Sequence, residues 1–453
     1  MSALSYAQAH RDQFLEQLKA FVAIPSISTL PQHRDDIQRA ATWLLGQLTD
    51  LGLTGEMIPI EGGHPMVYGE WMKAPGKPTV LLYGHYDVQP VDPLHEWKHP
   101  PFEPTVVGED LFARGARDDK GQVFAIVKAL EALVRGDGQL PVNVKVLVEG
   151  EEEIGSPGIS RWMDRHGRKV ACDFAWVSDS NFFARGLPAI EVGLRGLLYT
   201  EVEVRGASHD LHSGLYGGAA PNPLNALATI IAGLKDKRGR VTIPRFYSAV
   251  REPSPEEKAS WERLPFREDA YLNELGISVA PGEQGFGILE RLWTRPTLDV
   301  HGIVGGWTGA GSKTVIPATA VAKISMRLVP DQKAKSIFRA FEKKVKKLAP
   351  GGVEVDVRQL AGGDPVLMDP SAPIIQTAAS VIREIWGTAP VYVRGGGSVP
   401  VVAKFSQVLR VPTVMFGLGL PDDNTHAPNE KFHIPHFYKG IETVIAFLQR
   451  VAR

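Results

Sequence analysis

With 453 residues the chain is long enough for two or three domains and a large core. Its net charge is −1 with 22% charged residues, so no basic field favours nucleic acid. No run of about 18 or more apolar residues would span a membrane, and the N-terminus lacks the basic start and apolar core of a signal peptide. Cys172 is the single cysteine. It excludes an internal disulfide and a cysteine zinc knuckle, and it fits a reducing cytoplasm. Any metal must therefore be held by His, Asp and Glu.

The first 50 residues read as helical. Phe14, Leu15, Leu18, Phe21 and Val22 form one apolar stripe, ended by Ile24-Pro25. Trp43, Leu44, Leu48 and Leu51 form another, closed by Gly52. Thr79 to Tyr83 is a short β-prone apolar run, which predicts a buried strand. Gly84 ends it, and His85 and Asp87 follow at once. The carboxyl end of a buried strand is where an open α/β sheet builds a site. The Pro-rich text from Gln89 to Pro104 reads either as a wall of that site or as a surface loop with a small apolar cluster. Arg114 to Gly121 is a glycine-punctuated turn opening an apolar helix through Val123, Ile126, Val127, Leu130 and Leu133. Val142 to Val148 predicts a second strand running into Glu149 and Glu151-Glu152-Glu153, and Phe174 to Val177 a third, followed by Ser178-Asp179. Imidazole and carboxylates thus gather at one sheet edge. Crowded carboxylates repel and raise one another's pKa, so a cation is expected among them, most simply a metal.

The pattern changes near Gly193-Leu194-Arg195-Gly196. From Leu197 to Val204, apolar Leu198, Val202 and Val204 alternate with Tyr199, Glu201 and Glu203, as in a half-exposed antiparallel strand. Asn222-Pro223 caps a helix ending near Leu234. A strand at Val321 to Leu328, a helix capped by Asp331 and a strand at Val353 to Val357 follow. Together they predict a small α+β domain over 196–370, with a charged, Pro-rich insertion over 236–296. The glycine run at 305–311 lacks the Gly-Lys-Ser/Thr ending of a phosphate loop, which argues against nucleotide binding. A helix at Ile374 to Ile385, a glycine turn from Arg394 to Ser398, a strand at Thr413 to Phe416 and a last helix return to α/β text. The fold class expected is α/β: a mixed-sheet α/β domain, 1–195 and 371–453, interrupted by a smaller α+β domain, which the resemblance described next implies is a lid and dimerisation domain set into the catalytic one.

Gly84-His85-Tyr86-Asp87, Gly115-Ala116-Arg117-Asp118-Asp119-Lys120-Gly121, Glu152-Glu153-Ile154-Gly155-Ser156, Ser178-Asp179 and Thr425-His426 stand in a telling order. The chain resembles the dinuclear metallopeptidases that include aminoacylase, bacterial glutamate-releasing carboxypeptidase and carnosinase. The stretches at 210–218, 314–317, 327–330 and 429–431 resemble its carnosinase and cytosolic non-specific dipeptidase subgroup.

The resemblance implies two metal ions bridged by Asp118, with His85 and Asp179 completing one site and Glu153 and His426 the other. Zinc is implied first, and a carboxylate-rich set also accepts manganese or cobalt. Asp87 is expected to hold the His85 ring, and Glu152 to act as general base, moving a proton from the attacking water to the leaving amine. Asp119 is read as a helix N-terminal carboxylate, and Glu149 and Glu151 as parts of a solvated charged run. Three positions are expected at the substrate. Arg327 could clamp a peptide carboxylate, and Ser398, behind three glycines, could bind the same group. His212 would reach a partner subunit's site. The function implied is hydrolysis of dipeptides or very short peptides by a cytoplasmic homodimer paired through the lid domain. The alternatives are an N-acyl-amino-acid deacylase or a carboxypeptidase on the same site and, from another class, a non-catalytic peptide-binding protein.

Overall fold

The computed structural model describes residues 1–397 and 399–453; Ser398 and the side chain of Pro400 lie outside the description. In chain order, the strands used below are β1 (Thr54–Ile58), β2 (Met66–Trp71), β3 (Thr79–His85), β4 (Asn143–Glu149), β5 (Phe174–Val177), β6 (Gly196–Arg205), β7 (Thr297–Gly305), β8 (Thr319–Leu328), β9 (Glu354–Gly363) and β10 (Thr413–Met415). The helices are α1 (Arg11–Val22), α2 (Arg34–Asp50), α3 (Lys120–Ala132), α4 (Pro223–Ala232), α5 (Ala334–Leu348), α6 (Pro373–Trp386) and α7 (Ile434–Val451).

The chain divides into two compact units. The first comprises Met1–Val192, Met368–Val393 and Val399–Arg453; the second comprises Gly193–Leu367 and the short segment starting at Arg394.

The first unit is built on a six-stranded mixed sheet ordered β1-β2-β4-β3-β5-β10. β3 runs parallel to β4 and β5, and β10 parallel to β5. β1 and β2 finish the other edge antiparallel. β4 is buried along its whole length and β3 along all but its first residue; β3 accordingly reads as an apolar run, while β4 alternates in sequence yet buries Asn143 and Lys145 as well. Their register sets His85 beside Glu149, so two polar strand ends emerge side by side. α3 follows the glycine turn and is buried nearly all round, with Phe124 stacked on Phe437 of α7. Gly121 is obligatory at its start, because a Cβ there would collide with the Ala116 carbonyl and the Phe432 ring.

The second unit carries a four-stranded antiparallel sheet ordered β7-β8-β6-β9. β6 alternates buried and half-buried along its length, the pattern its sequence predicts. Leu198, Val202 and Val204 pack with Leu227 and Ile230 of α4 and with Ile337, Phe341 and Val345 of α5. Asn222 caps α4, its Oδ1 accepting the Leu224 N–H at 3.0 Å.

The cap expected at Asp331 is not formed. Asp331 sits at φ 75° and pairs with Arg251 at 2.9 Å. Asp364 instead accepts the Ala334 N–H at 2.9 Å, at the first residue of α5. Gln332 and Lys333 separate Asp331 from the helix, so its carboxylate is out of register with the free N–H groups. β7 is exposed over most of its length. The 236–296 segment holds three short helices, Pro255–Glu262, Glu268–Glu274 and Ile288–Trp293.

Candidate metal centre

The first unit's site forms where three neighbouring strands end. β3 ends on His85, Asp179 lies just beyond β5, and β4 runs on into Glu152 and Glu153. His85 is 0% exposed. Its Nδ1 faces the Asp87 carbonyl oxygen at 3.0 Å, which fixes the ring hydrogen there and leaves Nε2 to the site. Nε2 lies 3.1 Å from Asp118 Oδ1 and 3.8 Å from Asp179 Oδ2. On the other side, His426 Nε2 lies 3.0 Å from Asp118 Oδ2 and 3.2 Å from Glu153 Oε2. Two triads result, His85–Asp118–Asp179 and Asp118–Glu153–His426, each with donor atoms within 4.8 Å of one another. Asp118 belongs to both. His426 is the open member: its backbone is left-handed at φ 62° and its side chain is 52% exposed.

Asp87 is fully buried, which excludes an exposed loop aspartate. Its carboxylate accepts the Glu152 N–H at 3.2 Å and the Glu153 N–H at 3.1 Å, so it braces that turn as well as standing 3.3 Å from His85 Nδ1.

The electrostatics are those of a place short of positive charge. Burial pushes Glu152 well above the usual carboxylate range; His85 opposes the shift, and the charges of Asp179, Glu153 and Asp118 add to it. Burial likewise raises Glu153 and Asp179. Burial would also raise Asp118, but hydrogen bonds from His426 and His85 hold it well below its ordinary value. Glu153 Oε1 is buried without a hydrogen-bond partner. A divalent cation in each triad answers both the charge and the idle oxygen, so the donor set fits a metal pair.

Two expectations about the acidic residues need correction, those for Glu149 and Glu151. Glu149 and Glu151 are not a solvated face but are 1% and 3% exposed. Glu149 accepts hydrogen bonds from the Tyr83 hydroxyl at 2.6 Å and the Ser156 hydroxyl at 2.9 Å, and burial pushes its carboxyl up to about 8. Glu151 accepts the His64 and Gly158 N–H groups at 3.0 and 2.8 Å. A charged run usually lies on the surface; this one leaves a central strand and stays inside. Asp119 occupies the N-terminal position of α3 but makes no cap hydrogen bond. Its Oδ2 accepts the His85 N–H at 3.2 Å.

The Pro-rich loop touches the site. Gln89 donates to Glu153 Oε2 at 2.8 Å, and Asn429 ties the loop to the His426 segment by accepting the Lys98 N–H at 2.7 Å and donating to the Glu96 carbonyl at 2.9 Å. Sequence reasoning missed two groups. The Arg117 guanidinium, held by Asn181 at 2.6 Å, stands 3.5 Å from both Asp118 and Asp179. Glu430 is buried behind the Asp118 turn. Its only sequence signal was membership of the Asn429-Glu430-Lys431 stretch.

Two of the three substrate candidates, His212 and Arg327, belong to the second unit. His212 is exposed, and its Nδ1 accepts the Gly214 N–H at 3.0 Å. Arg327 is half-buried near the end of β8, across from Thr297 and Leu197. Ser398 lies outside the described residues.

Residues 81–450 match peptidase family M20/M25/M40. The Cys-Gly metallodipeptidase of Candida albicans is 32% identical over 459 aligned residues, covering 97% of this chain and 94% of that protein. Human Beta-Ala-His dipeptidase is 30% identical over 469, covering 99% and 92%. A solved M20-family metallo-carboxypeptidase from Sulfolobus solfataricus is similar at TM-score 0.88 and 33% identity, covering 97% of this chain and 99% of that one. The fold and the paired triads are those of a dinuclear-metal peptidase, and the chain belongs to peptidase family M20/M25/M40.

Proposed function

We propose that the protein is a metal-dependent dipeptidase, hydrolysing dipeptides or very short peptides. The observation that carries this reading is Asp118, one buried carboxylate shared by two His-and-carboxylate triads with Glu152 beside them. The names of the relatives support the substrate class.

Asp118 would bridge two divalent ions, with His85 and Asp179 on one and Glu153 and His426 on the other; three protein donors each leave room for water and substrate. Zinc is the ion proposed, with manganese and cobalt compatible with the same donors. When bound, the ions polarise the scissile carbonyl and lower the pKa of the attacking water. Glu152 takes the proton of that water and delivers it to the leaving amine. Burial raises its proton affinity, which suits a group that must take up a proton, and divalent charge nearby would lower it again. Asp87 keeps Glu152 and Glu153 in register through their backbone N–H groups.

Arg327 and Ser398 are proposed to take the substrate carboxylate, and His212 to polarise the carbonyl in the partner subunit of a homodimer formed through the second unit. These roles rest on the resemblance; an active monomer in sedimentation would remove the last of them. The cytoplasmic setting is proposed from the single, unpaired Cys172.

A panel of dipeptides, longer peptides and N-acyl amino acids, assayed with zinc, manganese and cobalt, tests the reading. Fastest cleavage of dipeptides is the expected result. Release of the last residue from longer peptides would establish the carboxypeptidase reading, which the Sulfolobus relative favours. Preference for N-acyl amino acids would establish a deacylase. Binding without turnover would leave a peptide-binding protein.

A further inference from the structure

Glu430 is 0% exposed and both its oxygens are used. Oε1 accepts the N–H groups of Arg117 at 2.9 Å and Asp118 at 3.0 Å. Oε2 accepts the N–H of Gly115 at 3.1 Å and Nη1 of Arg114 at 2.7 Å. Three backbone N–H groups of one turn thus converge on a single carboxylate. Gly115, at φ 81°, supplies the left-handed step that lets them point the same way. Such a nest normally receives an anion from outside; here the chain fills it with its own side chain. Arg114 secures the far side, donating to the Pro90 carbonyl at 2.9 Å and lying over the Trp97 ring at 5.3 Å.

Glu430 also lies four positions after His426 in the same loop. Asp118 is therefore gripped twice by that loop: its Oδ2 by His426 Nε2 at 3.0 Å and its N–H by Glu430 at 3.0 Å. One grip sets where the carboxylate is; the other sets how the backbone presents it.

We propose that Glu430 is a positioning residue for the metal pair. It fixes the backbone of Asp118 so that the carboxylate faces both triads, and it makes docking of the 421–430 loop and formation of both metal sites one event. The proposal rests on the metal reading above, but it concerns metal binding rather than turnover, so the two can fail separately.

Cobalt(II) is the probe, titrated into chelator-treated, dialysed protein against a chromophoric competitor, with the visible spectrum recorded. Wild type should take two ions per chain; if it takes none, the metal reading fails first. Glu430→Gln keeps the shape but sets an amide N–H₂ against N–H donors. Folded by circular dichroism, it should bind cobalt at least about tenfold more weakly and show an altered ligand-field spectrum. Glu430→Asp keeps the charge but withdraws it by one methylene, and should fall between the two. A purely structural Glu430 would lower the melting temperature without changing cobalt affinity or spectrum in the folded protein. That result overturns the proposal. Should Glu430→Gln not fold, Glu430→Asp decides on the same criteria. Wild type alone gives an independent check by hydrogen exchange: peptides covering 114–118 and 424–431 should gain protection in parallel as cobalt is added, and protection of one without the other overturns the coupling.

Discussion

In the second unit, charged side chains stand on the open face of the sheet. Glu201 of β6 lies opposite Lys323 of β8 and Arg358 of β9, each at 3.9 Å, and Arg358 also reaches Glu203 at 3.3 Å. In the first unit, charges sit at strand ends inside the fold, where Asp87, Asp119 and Glu149 are at most 1% exposed. The same residue types carry different meanings in the two places. Exposed cross-strand pairs are each worth ~0–1 kcal/mol and call for no further cause. Buried carboxylates in excess of nearby positive charge cost far more, and the fold keeps them only where a cation or a proton meets the cost.

The largest expected effect tests that cation directly. Chelation should abolish activity and added divalent metal should restore it, with about two ions per chain by elemental analysis. Full activity in excess chelator would break the comparison at its root. Next, Glu152→Gln should lower kcat roughly 100-fold or more while both ions stay bound. Loss of an ion instead would make Glu152 a ligand and exchange its role with Glu153.

Glu149 sharpens the comparison through pH. Its folded pKa, about 8, lies above the ordinary carboxylate value, so the folded state holds a proton that the unfolded chain releases. Stability from this group is complete below the unfolded pKa of roughly 4.3 and is lost as pH rises through about 8, by at most about 1.4 kcal/mol per pH unit. In chelator-treated protein, Glu149→Gln should flatten the denaturation midpoint against pH between about 5 and 8 relative to wild type. Parallel curves would mean that Glu149 is already ionised in the fold. The smallest effect belongs to the second unit: Lys323→Ala should change unfolding free energy by less than about 0.5 kcal/mol. A loss above about 2 kcal/mol would show the exposed ladder to be more than a solvated face.

The same contrast explains what the sequence made legible. The apolar run at β3 and the alternation at β6 reported burial on two faces and on one, and so separated a mixed α/β sheet from an antiparallel one; β4 alternates through Asn143 and Lys145, and its burial on both faces was not legible. His85, Asp179 and the Glu152-Glu153 pair were readable because they follow strands, and Asp118 because it lies in a glycine turn, whereas His426 stands in a loop with no such signal and was expected only from the resemblance. Glu430, Arg117 and Asn181 were not, since their meaning depends on which loop docks behind which turn. The burial of Glu149 and Glu151 was hidden for the same reason. Asp364 reaches the start of α5 from 30 residues away, and no local pattern announces a cap from that distance.

The division of the first unit into separate chain segments sets a timetable for the newborn protein. His85, Asp118, Glu153 and Asp179 leave the ribosome early, and His426 and Glu430 follow roughly 250 residues later. At about 5–20 residues per second, the nascent chain spends tens of seconds with its acidic crowd assembled on one side only. β10, the strand that pairs with β5, is delayed with them. A translation stall between residues 180 and 420 would therefore leave a chain carrying four members of the two triads but lacking the histidine and the glutamate that grip Asp118.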